Sequence, residues 1–232
     1  MELFPNPHKN LIIEAYGKKY ARYPIRTHVI TPEDKDLESL VEKYVKEHLK
    51  PGDVVFMGEK AIAISQGRAY PKDTIKPSGL AKFLVRYVTK TPIGIGLGSP
   101  ETMQLAIDEV GALRIIIAAF FGAIARVFGL KGVFYMIAGE QASSIDGAAD
   151  YVMPPYNKYV SKGPIRANEV AQEVSNRIGV PFTIVDACDF GVKVLGASEG
   201  IDKNFILKAL KDNPLGQTNE QTPIGIIREV KE

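Results

Sequence analysis

An α+β fold, a complex α/β arrangement in which mixed sheets pack against helices, is what this sequence predicts. Three observations carry that expectation. Strand-like and helix-like segments follow one another irregularly rather than as repeated βα units, so a clean doubly wound sheet is not expected. A chain of 232 residues with 45% hydrophobic content can bury a sizeable core. Neither a fixed-period repeat nor a low-complexity tract interrupts it.

From Leu11 to Thr31, residues rich in Ile, Tyr and Val pair as strands around a turn near Gly17, and Pro32 signals the start of a helical segment. Leu37, Leu40, Val41, Tyr44, Val45 and Leu49 then recur at the spacing of one helical face, which Pro51-Gly52 ends. DVVFMG is a strand leading into EKAIAISQGRAYP. Pro77 opens an amphipathic segment whose apolar stripe is Leu80, Leu84, Val85 and Val88. In GIGLGSP, Ser99 is the N-cap and Pro100 the first residue of a helix through ETMQLAIDEVG. Next come a helix around Ile115 to Phe128, a strand at GVFYMIAG, and an irregular stretch from Glu140 to Pro164, too long for a passive connection. Val170, Val174 and Ile178 line a helix that feeds the strand VPFTIVDA, and Gly191 to Leu195 forms another strand. Asp202 caps the helix KNFILKALKDN, and PIGIIREV closes the chain as a short strand.

Charge narrows the function class. With 29 Lys+Arg against 27 Asp+Glu the net charge is +2, no argument for nucleic acid or an anionic membrane as partner, so small-molecule chemistry is the default. A single cysteine, Cys188, excludes an internal disulfide framework, and MELFPNPHKN lacks the apolar core of a signal peptide. A cytoplasmic location is therefore expected. Ile115 to Ala125 is the most hydrophobic stretch, but Arg114 and Arg126 bound it well short of the roughly 20 residues a bilayer-spanning helix needs. It reads as a buried helix.

Most motif-like features reduce to bland roles. Gly94, Gly96 and Gly98 give G-x-G-x-G after a poor strand and without a suitably placed acid, so GIGLGSP is a turn rather than a dinucleotide fingerprint. No P-loop occurs. His8, His28 and His48 share no zinc or triad spacing. Cys188, between Asp186 and Asp189, reads as a small packing residue.

Three carboxylates stand apart. Asp186 is expected to close the apolar strand FTIVD, Asp189 lies just beyond it, and Asp146 sits beside Gly147 in the irregular stretch. Acids at strand ends beside glycine offer the oxygen ligands that Mg²⁺ or Mn²⁺ take; against this stands their ordinary use as turn residues. Lys60, with Gln66, Gly67 and Arg68, supplies cationic groups near a glycine, suited to phosphate or carboxylate, unless they are simply a solvated surface.

Taken in order, these segments resemble the coenzyme F420-0:gamma-glutamyl ligase family. KAIAISQGR is similar to that family's Lys-to-Glu-Gly-Arg segment, with Gln66 in place of the usual Glu. SSIDG resembles its G-I-D-x-S-N segment, which makes Asp146 the counterpart of a metal-binding aspartate. IVDACDFG followed by VLGASEGID resembles its strand ending in Asp-Thr and the turn beyond, which makes Asp186 the second. The likeness runs from about Asp53 to Ile206. Departures lie at Gly147-Ala148-Ala149, at Ala187, and at Val192 and Lys193, where the family has Ser-Asn, Thr and arginines.

The resemblance implies one ligase-like domain over residues 1–232, with residues 1–52 as an N-terminal subregion, in an intertwined homodimer of unusual α/β fold. It also implies GTP or another nucleoside triphosphate, Mg²⁺ or Mn²⁺, and addition of L-glutamate to a deazaflavin precursor through a phosphorylated carboxylate. Lys60 and Arg68 are then catalytic, Lys60, Gln66, Gly67 and Arg68 hold the cofactor, and Asp146, Asp186 and Asp189 hold metal. The apolar segment around Ile115 to Phe121 suggests a surface covered by a second copy. The expected activity is a nucleotide- and metal-dependent ligase in a divergent branch. A non-catalytic binding protein of the same fold and a metal-dependent phosphohydrolase are the alternatives.

Overall fold

The computed structural model describes residues 3–88, 96–188 and 191–230. The chain forms two compact units, one from Met1–Gly67 with Pro164–Glu232 and one from Arg68–Gly163. The first unit begins with β1 (Ile12–Ala15), β2 (Lys18–Ile25), α1 (Leu37–Val45), β3 (Val54–Gly58) and α2 (Glu59–Ser65). The second holds β4 (Ala69–Pro71), α3 (Gly79–Leu84), α4 (Pro100–Val110), α5 (Ala112–Val127), α6 (Val133–Ala138), α7 (Glu140–Ser143) and β5 (Tyr159–Ser161). The chain then returns to the first unit with α8 (Ala167–Ile178), β6 (Phe182–Cys188), β7 (Gly191–Ala197), α9 (Lys203–Ala209) and β8 (Ile224–Glu229).

The first unit is organised by a six-stranded mixed sheet in the order β1-β2-β8-β3-β6-β7. Tyr16 and Gly17 both take positive φ, 52° and 73°, the twist that a two-residue hairpin turn requires between β1 and β2. The short last strand enters the middle of this sheet, antiparallel to both β2 and β3, and buries Ile224, Ile226 and Ile227. Among the described strands, β3 and β6 are the pair that runs parallel. In β6, Phe182, Thr183, Ile184 and Val185 are all buried, the continuous pattern of a strand covered on both faces. Val185 joins Phe56, Ile206, Ala209 and Leu210 in one apolar cluster. Gly225 on β8 makes room for the Phe56 ring, which occupies the space that a Cβ would need there.

Helices dominate the second unit. Its core gathers Met103, Leu105, Ala106, Ile115, Ala118, Ala138, Ala142 and Val160, with β4 and β5 as a two-stranded ladder. Ser99 caps α4 as expected, in a reciprocal capping box with Thr102, and Pro100 opens the helix. The GIGLGSP turn reading lies partly outside the described residues, since residues 89–95 are not described; Gly96, within them, has φ 44°.

Two expectations are corrected here. GVFYMIAG is not a strand: Val133–Ala138 is helical, flanked by Gly132 at φ 82° and Gly139 at φ 92°. Short apolar runs carry no decisive periodicity, and packing decided this one. Phe134 sits against Gly122 of α5, where an added Cβ would lie 3.1 Å from the Phe134 Cβ. The segment from Ile115 to Ala125 is helical but not buried all round. Within α5 only Ile115, Ala118 and Ala125 are buried, while Leu113 (72% exposed), Phe120 (61%) and Val127 (84%) face outward. Among the described residues no single helix is long and apolar enough to cross a membrane.

Candidate functional site

In the first unit β3 ends at Gly58 and α2 begins at the next residue, which sets Lys60 on its opening turn. Gln66 caps the other end, and Gly67 takes φ 69°, the left-handed conformation that stops a helix. The Gln66 side chain grips one residue of the returning chain. Its Nε2 donates to the Ile165 carbonyl at 3.0 Å, and the Ile165 N–H donates to its Oε1 at 2.9 Å. Only an amide both donates and accepts in this way; an ionised Glu would set a carboxylate oxygen against the Ile165 carbonyl. The departure from the Lys-to-Glu-Gly-Arg pattern thus has a structural use.

Asp186 does not close its strand. β6 continues through Cys188, and Asp186 pairs in register with Lys193 on β7. It is exposed directly after four buried residues, a carboxylate at the rim of a packed sheet. Asp189 lies outside the described residues. The surface histidine His28 ties the segment before α1 to that helix, its Nδ1 2.6 Å from the Tyr44 hydroxyl and its Nε2 2.9 Å from Asp34 Oδ1.

In the second unit the end of β5 gathers Arg68 and Asp146. Asp146 is fixed through its backbone, exchanging two 2.9 Å hydrogen bonds with Ser161. The neighbouring Lys162 N–H donates to the Arg68 carbonyl at 2.9 Å. Arg68 Nε donates to the Gly163 carbonyl at 2.6 Å, and its guanidinium pairs with Glu109 of α4. Lys162 Nζ reaches the other Glu109 oxygen at 2.8 Å. Gly163 lies so close to Ser144 that a Cβ would stand 2.5 Å from the Ser144 Cβ. Backbone hydrogen bonds therefore join the Asp146 loop to β5, and one ion network joins the ends of the β4–β5 ladder to α4.

That network changes the standing of Arg68, whose charge is shared with a carboxylate that no sequence pattern singles out. Glu109 is partly buried, which by itself raises a carboxyl pKa, but hydrogen bonds from Lys162 and Arg68 outweigh burial and hold it below the ordinary range. A depressed pKa contributes stability that is present above the unfolded-state value and is lost as pH falls through the folded one. Glu109→Gln should accordingly lower the melting temperature at neutral pH, with the gap to wild type closing in acid below the carboxylate range. A gap that stays constant down to that pH would count against the network.

Among the described residues no group of three or more His, Cys, Asp or Glu could hold a metal ion. Lys60, Gln66, Gly67 and Asp186 belong to the first unit, and Arg68 and Asp146 to the second. Glu109 and Lys162 escaped sequence reasoning because they are ordinary helix and loop residues until the chain path brings them to Arg68.

A family model described as F420-0:gamma-glutamyl ligase matches residues 24–184. The match takes in the segment from Lys60 to Arg68 and Asp146, begins well before Asp53, and stops short of Asp186. No curated protein matches the chain.

Proposed function

This chain belongs to the F420-0:gamma-glutamyl ligase family, a family of ligases, and on that premise we propose that it joins an amino acid, L-glutamate or a close analogue, to a small-molecule carboxylate through an acyl phosphate. The observation that carries the reading is the match over residues 24–184, which spans Lys60 to Arg68 and the loop of Asp146. In the first step a carboxylate oxygen of the acceptor attacks the γ-phosphorus of GTP or another nucleoside triphosphate, and the nucleoside diphosphate leaves. In the second the amino acid's amine attacks the acyl carbon, orthophosphate leaves with the bonding pair, and the nitrogen loses a proton.

Asp146 and Asp186 offer oxygen donors only, the type that Mg²⁺ and Mn²⁺ prefer, and such sites commonly use one or two carboxylates with phosphate oxygens filling the rest. Each acid is therefore a candidate ligand in its own right, since one protein carboxylate with phosphate oxygens can suffice, and Asp189 follows Asp186 by three positions in the sequence. When bound, the cation would neutralise charge on the phosphate oxygens. Lys60 would act on phosphate or substrate carboxylate as a compact point charge. Arg68 would hold the Asp146 segment in place through Gly163 and Glu109 while keeping part of its charge for an anion. We read the outward apolar side chains of α5 as a face covered by a second copy of the chain.

Phosphate release with GTP or ATP, Mg²⁺ or Mn²⁺, L-glutamate and F420-0 or simpler hydroxy acids is the test, with mass spectrometry for the amide. Turnover should need the cation and rise with the correct acceptor. The Gln66 amide held by Ile165 and the Glu109 partner of Arg68 also favour a second reading, a binding protein without turnover. In that case no phosphate is released under any combination. Phosphate release indifferent to the amino acid would instead identify a phosphohydrolase.

A further inference from the structure

The longest helix of the second unit ends in an apolar tip that the ligase reading does not use. Phe134 packs on Gly122, so α5 and α6 lie against each other as a helical hairpin, and residues 128–132 join them. From Arg126 to Gly132 every residue is exposed. Val127 and Phe128 (76% exposed) are far more open than Ile116, Ile117 and Ile124 on the body of the helix, which are 44%, 41% and 42% exposed. Leu130 follows in the same turn.

The tip is held in a fixed form. The Leu130 N–H donates to the Ala125 carbonyl at 2.9 Å, the Gly129 N–H donates to the Arg126 carbonyl at 3.0 Å, and Gly129 takes φ 76°, which together make a Schellman turn. Gly132, at φ 82°, then starts α6. Apolar side chains kept in water by such a turn mark a contact surface.

Charge decides the occupant. The near-balanced total of the chain conceals a local excess: from Val110 to Gly139 there are three cations, Arg114, Arg126 and Lys131, and no acid. Arg126 and Lys131 flank the tip. A second copy docked tip to tip about a twofold axis would set those cations against their own equals. An anionic bilayer surface fits instead, because its headgroups attract the cations while its acyl boundary takes the apolar side chains. Among the described residues no single helix is long and apolar enough to cross a membrane, so the contact is interfacial.

We propose that this tip docks the protein on anionic phospholipid surfaces, with Phe128 and Leu130 entering the acyl boundary and Arg126 and Lys131 at the headgroups. The outward side chains on the body of α5 remain the face read above as covered by a second copy. Docking does not depend on the ligase reading.

Cosedimentation with vesicles of phosphatidylcholine, alone or with about a third phosphatidylserine, tests the proposal. Wild type should partition at least tenfold more onto the anionic vesicles. Phe128→Ser combined with Leu130→Ser should reduce that binding tenfold or more, and Arg126→Gln combined with Lys131→Gln should bring it to the level of the neutral vesicles. Both variants should keep the wild-type melting temperature and mass in solution. The chain has no tryptophan, so Phe128→Trp supplies a single reporter. Its emission should move to the blue on addition of anionic vesicles, and that of Leu113→Trp, at the other end of α5, should not. The proposal is overturned if wild type stays in solution with both vesicle types, if it binds both equally, if either double variant binds as wild type does, or if the Phe128→Trp emission does not move. A lower solution mass in the serine variant would also overturn it and give the tip to a second copy.

Discussion

Replacing Asp186 by Asn is expected to lower nucleoside triphosphate turnover on the order of 10²-fold or more and to weaken divalent-cation affinity, with little change in melting temperature. The stability half of this expectation comes from its position. Asp186 is exposed at the point where the buried run Phe182 to Val185 ends, so the isosteric substitution empties no cavity. The activity half comes from its donor chemistry, a carboxylate suited to a hard cation beside phosphate oxygens. Lys60→Ala should behave differently. Loss of a point charge on α2 should raise the apparent KM or reduce the rate while cation affinity stays near wild type. Titration of Mg²⁺ or Mn²⁺ into each variant, with a nonhydrolysable GTP or ATP analogue present, separates the two. Equal cation affinity in wild type and Asp186→Asn would refute Asp186 as a ligand.

The largest loss of stability is expected from Asp212→Ala, about 3–5 kcal/mol in chemical denaturation. Arg22 on β2 has a fully buried side chain. Its guanidinium pairs through both terminal nitrogens with Asp212, the NH2 to Oδ2 contact measuring 3.0 Å, and also donates to the carbonyls of Ala209, at 3.1 Å, and Asn10. Removing the carboxylate leaves a buried cation with carbonyl partners alone, and Arg22 Nε already lacks a partner among the described residues. Burial pushes the Asp212 carboxyl up, but the Arg22 hydrogen bonds and charge outweigh it and hold the pKa below the ordinary range. The pair's contribution is therefore complete at neutral pH and lost only as pH falls through that depressed value. Arg22→Met combined with Asp212→Leu should recover much of the loss, since the cost lies in the unpaired charge more than in the missing attraction. A single Asp212→Ala variant within about 1 kcal/mol of wild type would show that Arg22 finds water or another partner.

Much of the fold was legible because its signals are local. The β1–β2 hairpin announced itself through the turn at Gly17, α4 through Ser99 and Pro100, α9 through Asp202, and β6 through an unbroken apolar run. Each signal acts within a few residues, which is the range over which backbone hydrogen bonds and caps are set. Where a short segment had no such signal, reading failed. GVFYMIAG has the composition of a strand and lies helical on α5 because Gly122 admits Phe134 at close range.

The candidate site divides along the same line. By itself the sequence determined which groups can do chemistry and in what order they come: the cation on α2, the Gly67 stop beyond it, an acid in an irregular loop and an acid after a core strand. Only the tertiary structure decided their partners and surroundings. It gave Arg68 to Glu109, clamped Gln66 on Ile165, carried β6 past Asp186 to pair with β7, and turned the apolar side chains of α5 outward. Residue type fixes charge and donor capacity wherever the chain goes, but pairing and burial depend on the path that brings residues distant in sequence to the same place.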